Sequence, residues 1–144
     1  NLIVLENDLY LKNKEFYAAY DAVYVLRPDS VVRSVDIAGA VTDFKMGLIS
    51  AFCEICPGAQ IIDAAELQQI AASQTGLDIV YPSIGDNLDH LFRVRDNRGV
   101  ALHLLKRPED VFSWRYAKKG FFNFKKHIPD ILSFLRQYEC APRD

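Results

Sequence analysis

Residues 2–28 read LIVLENDLYLKNKEFYAAYDAVYVLRP, and the two apolar runs in this stretch decide the predicted fold. Leu2–Leu5 is a strand-length run that ends at a polar cluster, residues 6–8. Residues 22–26 form a second run, which ends before Pro28 because proline cannot continue a β-ladder. Residues 15–20 between them are long enough for one or two helical turns. Strand, helix and strand in this order indicate a right-handed crossover between parallel strands.

The same alternation continues downstream. Asp36 is predicted to cap a long helix that Pro57-Gly58 ends. Its apolar residues recur at spacings of three and four, which predicts one buried face: Ile37, Val41, Phe44, Leu48, Ile49, Phe52 and Ile55. Further strands are predicted at residues 60–63, 78–81 and 100–105, and helices at residues 65–73 and 87–94.

From Glu109 onward the pattern is helical, with interruptions at Gly120 and Pro129 and a last helix over residues 130–138. Strands that alternate with helices favour a doubly wound, mostly parallel five-stranded sheet with helices on both faces, a Rossmann-like α/β fold. At 144 residues, one domain over residues 1–144 is expected.

Composition narrows the class of protein. Apolar residues make up 50% and charged residues 25%, which is ordinary globular composition. No apolar run approaches the roughly 20 residues that cross a bilayer, and no signal peptide is visible, so no membrane partner is expected. Three cysteines are an odd count that argues against a disulfide scaffold and for a reducing compartment, which predicts a cytoplasmic location.

The carboxyl ends of the predicted strands are where an open α/β sheet binds ligands. The polar residues expected there are Glu6, Asn7 and Asp8 after the first strand and Tyr81, Ser83 and Asp86 after the fourth. No G-x-G-x-x-G or Walker-type loop is present. The best substitute is residues 83–86, whose backbone amides are placed to face an anion, although Asp86 either opposes that role or caps the next helix.

Catalytic and metal chemistry find little support in the sequence. Cys53 and Cys56 have C-x-x-C spacing, but a redox pair would begin a helix and this pair ends one, so two partly buried structural thiols are predicted. The histidines share no common spacing, and His103, inside an apolar strand, is predicted to be a hydrogen-bonded core residue. No catalytic residue and no metal site are assigned.

Charge is unevenly distributed along the chain. Residues 1–105 carry 8 basic and 14 acidic side chains, whereas residues 106–144 carry 9 basic and 5 acidic ones. Within the latter part, residues 107–126, here called the basic aromatic segment, interleave aromatic and cationic side chains. This composition fits either a hydrophobic plug with basic neighbours that reach water, or a nucleic-acid contact. The plug is the preferred prediction, because residues 120–122 resemble a chain reversal anchored in a core. The candidate contacts are Arg107, Trp114, Arg115, Lys118, Lys119 and Lys125.

The opening of the chain resembles that of DNA photolyases and cryptochromes. In that family the first strand leads into a segment of the form R-[RN]-D-L-R-x-x-D-N-x-A-L-x-x-A, followed by a strand of the type P-V-Y-x-x-D-P. Asp8-Leu9 falls where the family's Asp-Leu stands, and Asn13 falls at the family's Asn when one residue of the intervening segment is omitted. AVYVLRP at residues 22–28 resembles the second strand. Residues 107–124 are also similar to bacterial photolyase-related proteins. Glu6 and Tyr10 replace the usual arginines, and Lys12 replaces the Asp.

The resemblance implies the N-terminal, antenna-side domain of that DNA-repair-related family. Such a domain binds a flavin, deazaflavin or folate-type (pterin) chromophore, whereas FAD and DNA bind a separate helical domain that 144 residues do not accommodate. The leading hypothesis is a non-catalytic module that binds a nucleotide-like or chromophore ligand, or a protein partner such as a helical FAD domain. By this hypothesis the ligand contacts are Glu6, Asn7, Asp8, Asn13, Tyr81, Ser83 and Asp86. The alternatives are a nucleic-acid-binding module that uses residues 107–126, and a small nucleotide-processing enzyme with converging Asp8, Asp63 and Asp86.

Overall fold

The computed structural model describes residues 1–9 and 14–140 and divides the chain into two compact units. We call Asn1–Leu105 the sheet unit and the part from Lys106 onward the helical unit. The expectation of one domain over residues 1–144 stays a prediction.

The sheet unit contains five parallel strands in the order β3-β2-β1-β4-β5. The strands are β1 (Leu2–Leu5), β2 (Val23–Leu26), β3 (Ala59–Ile62), β4 (Gly76–Val80) and β5 (Ala101–Leu105). The helices are α1 (Lys14–Ala18), α2 (Gly39–Ile55), α3 (Ala64–Ala72) and α4 (Asp86–Arg98). β1 lies at the centre and pairs with both β2 and β4. The predicted doubly wound, Rossmann-like fold is confirmed.

Two hydrophobic clusters cover the two faces of this sheet. Alternate residues of a strand point to opposite faces, so Leu2 and Val4 pack with α1 and α2, and Ile3 and Leu5 pack with α3 and α4. The helical contributions are Tyr17, Ile49 and Phe52 on one face and Leu67, Ala71, Leu91 and Val94 on the other. All four residues of β1 are buried, which explains why the first apolar run has no polar alternation.

The predicted apolar face of α2 is only half right. Ile49 and Phe52 are buried, but Val41, Phe44 and Leu48 are exposed, Phe44 by 67%. The side of the helix that faces the sheet passes through Lys45 rather than Phe44, and Lys45 contacts the buried carboxylate of Glu6. The helix also begins later than expected, at Gly39, so Asp36 is not its N-cap.

The other boundaries in the sheet unit agree with prediction to within two residues, except at the end of α4. That helix continues past residue 94 to Arg98 and is capped by Gly99, whose φ of 68° is the left-handed conformation that glycine favours. α3 begins with a reciprocal capping box between Asp63 and Glu66.

The helical unit contains α5 (Pro108–Trp114), a 3₁₀ turn (Ala117–Lys119), α6 (Phe121–Lys126) and α7 (Ile128–Cys140). Its interior is built on rings: Phe112 stacks on Phe134 at 4.1 Å between centroids, and Tyr116 stacks on His127 at 4.3 Å. The predicted plug at residues 120–122 is wrong, because Phe121 is 66% and Phe122 is 81% exposed. Among the described residues, no helix is both long enough and apolar enough to cross a membrane.

Candidate functional site

The winding of the sheet reverses between β1 and β4. The connections from β1 to β3 pack on one face, and those from β3 to β5 pack on the other. The loops that follow β1 and β4 therefore diverge at the carboxyl edge, which is the usual position of a ligand in open parallel sheets. Residues 6–8 and 81–86 lie in these two loops, so the predicted site falls at the reversal point.

Glu6 is the centre of this edge. It directly follows β1, and its side chain is only 1% exposed. Lys45 Nζ lies 2.9 Å and Arg33 Nη2 3.3 Å from Glu6 Oε1, and Asn87 Nδ2 donates to both carboxylate oxygens at 3.3 Å. A buried carboxylate is tolerated only when it is paired and hydrogen-bonded. We call Glu6, Arg33, Lys45 and Asn87 the Glu6 cluster.

The ionisation of Glu6 follows from these contacts. Burial by itself would raise the pKa of the carboxyl, but the hydrogen bonds from Lys45 and Asn87 outweigh it and hold the pKa below its ordinary value. Glu6 is therefore a carboxylate at neutral pH, and the cluster contains two cations and one anion. The surplus positive charge suits an anionic group.

Asparagine amides tie the two diverging loops together. Asn7 Nδ2 donates to the backbone oxygen of Pro82, and Asn87 Nδ2 lies 3.4 Å from Asn7 Oδ1. Asn87 also accepts from Arg33 at 3.3 Å. The exits of β1 and β4 are thus joined through side chains in addition to the sheet ladder.

The remaining predicted contacts occupy different positions. Asp86 accepts from the backbone N–H of Ser34 at 3.2 Å and from its hydroxyl at 3.4 Å, while Gly85, not Asp86, is the N-cap of α4. Ser83 is exposed and has a φ of 65°, a left-handed conformation that turns the chain out of β4. Tyr81 is half-buried, and its N–H extends the ladder to Leu105. Asp8 is half-buried, and Asn13 lies outside the described residues.

Two buried nitrogens in and beside the Glu6 cluster have no hydrogen-bond partner among the described residues: Arg33 Nε and His90 Nε2. The other ring nitrogen of His90 lies 3.5 Å from the backbone N–H of Val32, the neighbour of Arg33. Burial, together with the charges of Arg93 and Arg33, lowers the pKa of His90, so the ring is neutral at neutral pH. Unpaired buried polar atoms are rare in folded proteins, and a bound group that supplies an acceptor would satisfy them.

Arg33, Lys45, Asn87 and His90 were not predicted as site residues. Arg33 lies in the loop after β2, and Lys45 lies beside the predicted apolar face of α2, so neither shares a motif with Glu6. A signal was nevertheless present: a carboxylate attached directly to a fully apolar strand is expected to be buried and to require a cation. The sequence indicates that need without identifying the cation.

Other chemistry-bearing residues lie apart from this edge. Cys53 and Cys56 are half-buried free thiols, as predicted, and burial raises the pKa of both. His103 is hydrogen-bonded to Asp78 at 3.0 Å, but it is exposed on the edge strand β5, so its assignment to the core is wrong. Among the described residues, no group of three or more His, Cys, Asp or Glu side chains is placed to hold a metal ion.

A cavity of about 390 Å³ lies at the opposite, amino edge of the sheet. It is bordered by the end of α1, the start of β2 and the end of α2, and its lining includes Tyr20, Phe52 and Cys56. Tyr20 donates its hydroxyl to Asp78 at 2.9 Å, and burial together with this carboxylate raises the pKa of Tyr20 to about 12. None of the predicted ligand contacts that the structure describes lines this cavity.

Comparison of the chain with protein-family models, with curated proteins and with solved structures finds no match.

Proposed function

We propose that the sheet unit is a non-catalytic, photolyase/cryptochrome-like module that binds an anionic nucleotide-like or chromophore ligand at its carboxyl edge. The observation that carries this proposal is the Glu6 cluster together with the unpartnered nitrogens of Arg33 and His90. The Glu6 cluster and these nitrogens lie where the winding of the sheet reverses, between β1 and β4. A phosphate or carboxylate of the ligand would accept from Arg33, and Asn7 and Ser83 would border the rest of the molecule.

The fold and the strand order support this proposal without choosing the ligand. FMN and folate combine a planar ring with an anionic tail, and a deazaflavin does so when its ribityl chain carries a phosphate, which suits a polar edge above apolar strands. The apolar side chains of Val32, Val35 and Ile84 are exposed in the loops at this edge and would cover a ring. A helical FAD domain as partner remains part of the proposal through the resemblance of residues 7–28.

The alternative of a small enzyme receives less support from the acidic residues. Asp63 and Asp86 follow β3 and β4, which are three strand spacings or about 14 Å apart across the sheet. The Asp63 carboxylate caps α3, and that of Asp86 accepts from Ser34. Catalytic carboxylates must reach one reacting centre, and these two are held apart.

Thermal-shift and calorimetric titrations with FMN, riboflavin, folate and ADP test the proposal. We expect FMN to bind at least tenfold more tightly than riboflavin, since the two differ by a phosphate. Arg33→Gln should weaken FMN binding at least tenfold. Arg27→Gln is the matched control, because Arg27 follows β2 but pairs with Asp29 on the surface.

Two outcomes would contradict the proposal. One is the absence of binding by all four probes. The other is binding that survives Arg33→Gln but is lost in Ala18→Trp, which narrows the cavity at the amino edge. Circular dichroism of each variant shows whether it is folded.

A further inference from the structure

Two large rings project side by side from the helical unit. Phe121 and Phe122 begin α6, are 66% and 81% exposed, and lie 5.8 Å apart between ring centroids at 67°. Trp114 at the end of α5 is a third exposed ring. Exposed apolar side chains that cluster in this way mark an interaction surface more often than isolated ones do.

The charge around these rings has one sign. Residues 111–129 contain no carboxylate and five exposed cations: Arg115, Lys118, Lys119, Lys125 and Lys126. Within the described chain, none of these five forms an ion pair. The carboxylates that flank this stretch are already engaged, Asp110 with Arg107 at 3.0 Å and Asp130 with His127 at 3.4 Å. A polyanion is the complementary partner.

Cations in this unit also lie over aromatic rings. The Arg115 guanidinium is 4.4 Å from the centroid of the Phe112 ring, and Lys106 Nζ is 5.7 Å from that of Trp114. Between Arg115 and Lys126, both large exposed apolar side chains are aromatic. A ring offers a face on which any nucleobase can stack, so this surface combines stacking positions with cations for the phosphates.

We propose that this surface binds single-stranded nucleic acid without sequence preference. Bases stack on Phe121 and Phe122, and the lysine pairs Lys118–Lys119 and Lys125–Lys126 contact the flanking phosphates. Stacking is tolerant of sequence because every base has a π-face. The inference is independent of the carboxyl-edge ligand, since its residues all belong to the helical unit.

The test is fluorescence anisotropy of a labelled 15-nucleotide oligothymidylate with the full chain. Four neutralised phosphates predict a slope of about −3 for log K against log salt, which is about a 50-fold loss of affinity between 50 and 200 mM. A double variant with Lys118→Gln and Lys119→Gln should reduce the magnitude of that slope by about 1.4. Arg136→Gln, an exposed cation on α7 outside the surface, is the matched control and should change neither affinity nor slope.

A second set of variants separates stacking from charge. Phe121→Ala with Phe122→Ala should weaken binding at least tenfold and leave the slope unchanged, while Phe122→Tyr should retain binding because it keeps the ring. Phe122→Trp should add indole fluorescence to that of Trp114, and the oligonucleotide should quench this added fluorescence.

Absent or salt-independent binding would overturn the proposal, as would affinity for a 15-base-pair duplex equal to that for the single strand. Binding to vesicles with 30% phosphatidylserine, without binding to the oligonucleotide, would overturn it in favour of a lipid surface.

Discussion

At the scale of single residues, Glu6 is the side chain on which the carboxyl edge depends. It is a buried carboxylate at the end of a strand whose four residues are all buried, and its partners come from three other segments of the chain. Removing one partner of a buried ion pair leaves the others unpaired, which is far more destabilising than losing a surface pair. The same contacts link stability to pH.

We predict that Glu6→Gln lowers the free energy of unfolding by about 3 kcal/mol at pH 7, because Arg33 and Lys45 lose their counter-charge. Asp29→Asn breaks a surface pair with Arg27 and should change the free energy of unfolding by no more than about 1 kcal/mol. Urea denaturation followed by circular dichroism measures both values. Equal effects of the two substitutions would contradict the role of Glu6.

The pH dependence has a defined sign. The pKa of Glu6 in the folded chain lies below its ordinary value of 4.5, so the unfolded chain takes up the proton first as pH falls. The contribution of Glu6 to stability is complete above about pH 4.5 and is lost as pH falls through the lowered pKa. The difference in stability between the wild type and Glu6→Gln should therefore shrink as pH falls below about 4.5. A constant difference would show that Glu6 does not act through its charge.

At the scale of elements, α2 carries two apolar stripes, and only one of them packs against the sheet. Ile49 and Phe52 belong to the cluster on that face, while Val41, Phe44 and Leu48 are exposed. Both stripes have helical periodicity, so the pattern predicts the helix but leaves its rotation open. In the observed rotation, Lys45 lies on the side that faces the sheet and pairs with Glu6.

We predict that Phe52→Ala lowers the free energy of unfolding by about 3–5 kcal/mol, because it leaves a cavity in a packed cluster. Phe44→Ala makes the same substitution about two turns earlier, on the exposed stripe. It should change the free energy of unfolding by about 0.5 kcal/mol or less. Chemical denaturation of the two variants shows which stripe packs against the sheet. A larger effect at Phe44 would mean that α2 is rotated from the arrangement described here.

At the scale of the whole molecule, the chain joins an acidic sheet unit to a basic helical unit. Both hydrophobic clusters of the sheet unit consist of residues up to Leu105. The ring stacks that organise the helical unit lie within residues 112–134. Each unit thus has its own packing, and the two proposed binding surfaces lie on different units.

We predict that residues 1–105 alone retain a cooperative unfolding transition, because all five strands and the helices that cover them are within this range. Circular dichroism and urea unfolding of this fragment measure it. A fragment that binds the dye ANS and unfolds without a sharp transition would show that the sheet unit requires the residues that follow it.

The sequence by itself determined the alternation of strands and helices, and with it the parallel sheet and the edge where residues 6–8 and 81–86 meet. These follow from local physical chemistry: strand-length apolar runs, prolines that end a ladder and the fixed hand of crossovers act within short stretches of chain. Partial burial of the free thiols Cys53 and Cys56 was also predicted, since a redox pair would begin a helix and this pair lies at the end of one.

Only the tertiary structure decided which cations neutralise Glu6, which stripe of α2 is buried, and that Phe121 and Phe122 face solvent. Each of these depends on which surfaces meet when distant segments pack together. The periodicity of apolar residues is unchanged when a helix rotates about its axis. The sequence of an aromatic segment is likewise the same whether its rings pack in a core or face solvent. The energies that choose between such states, burial of a charge and close packing, arise between residues far apart in sequence.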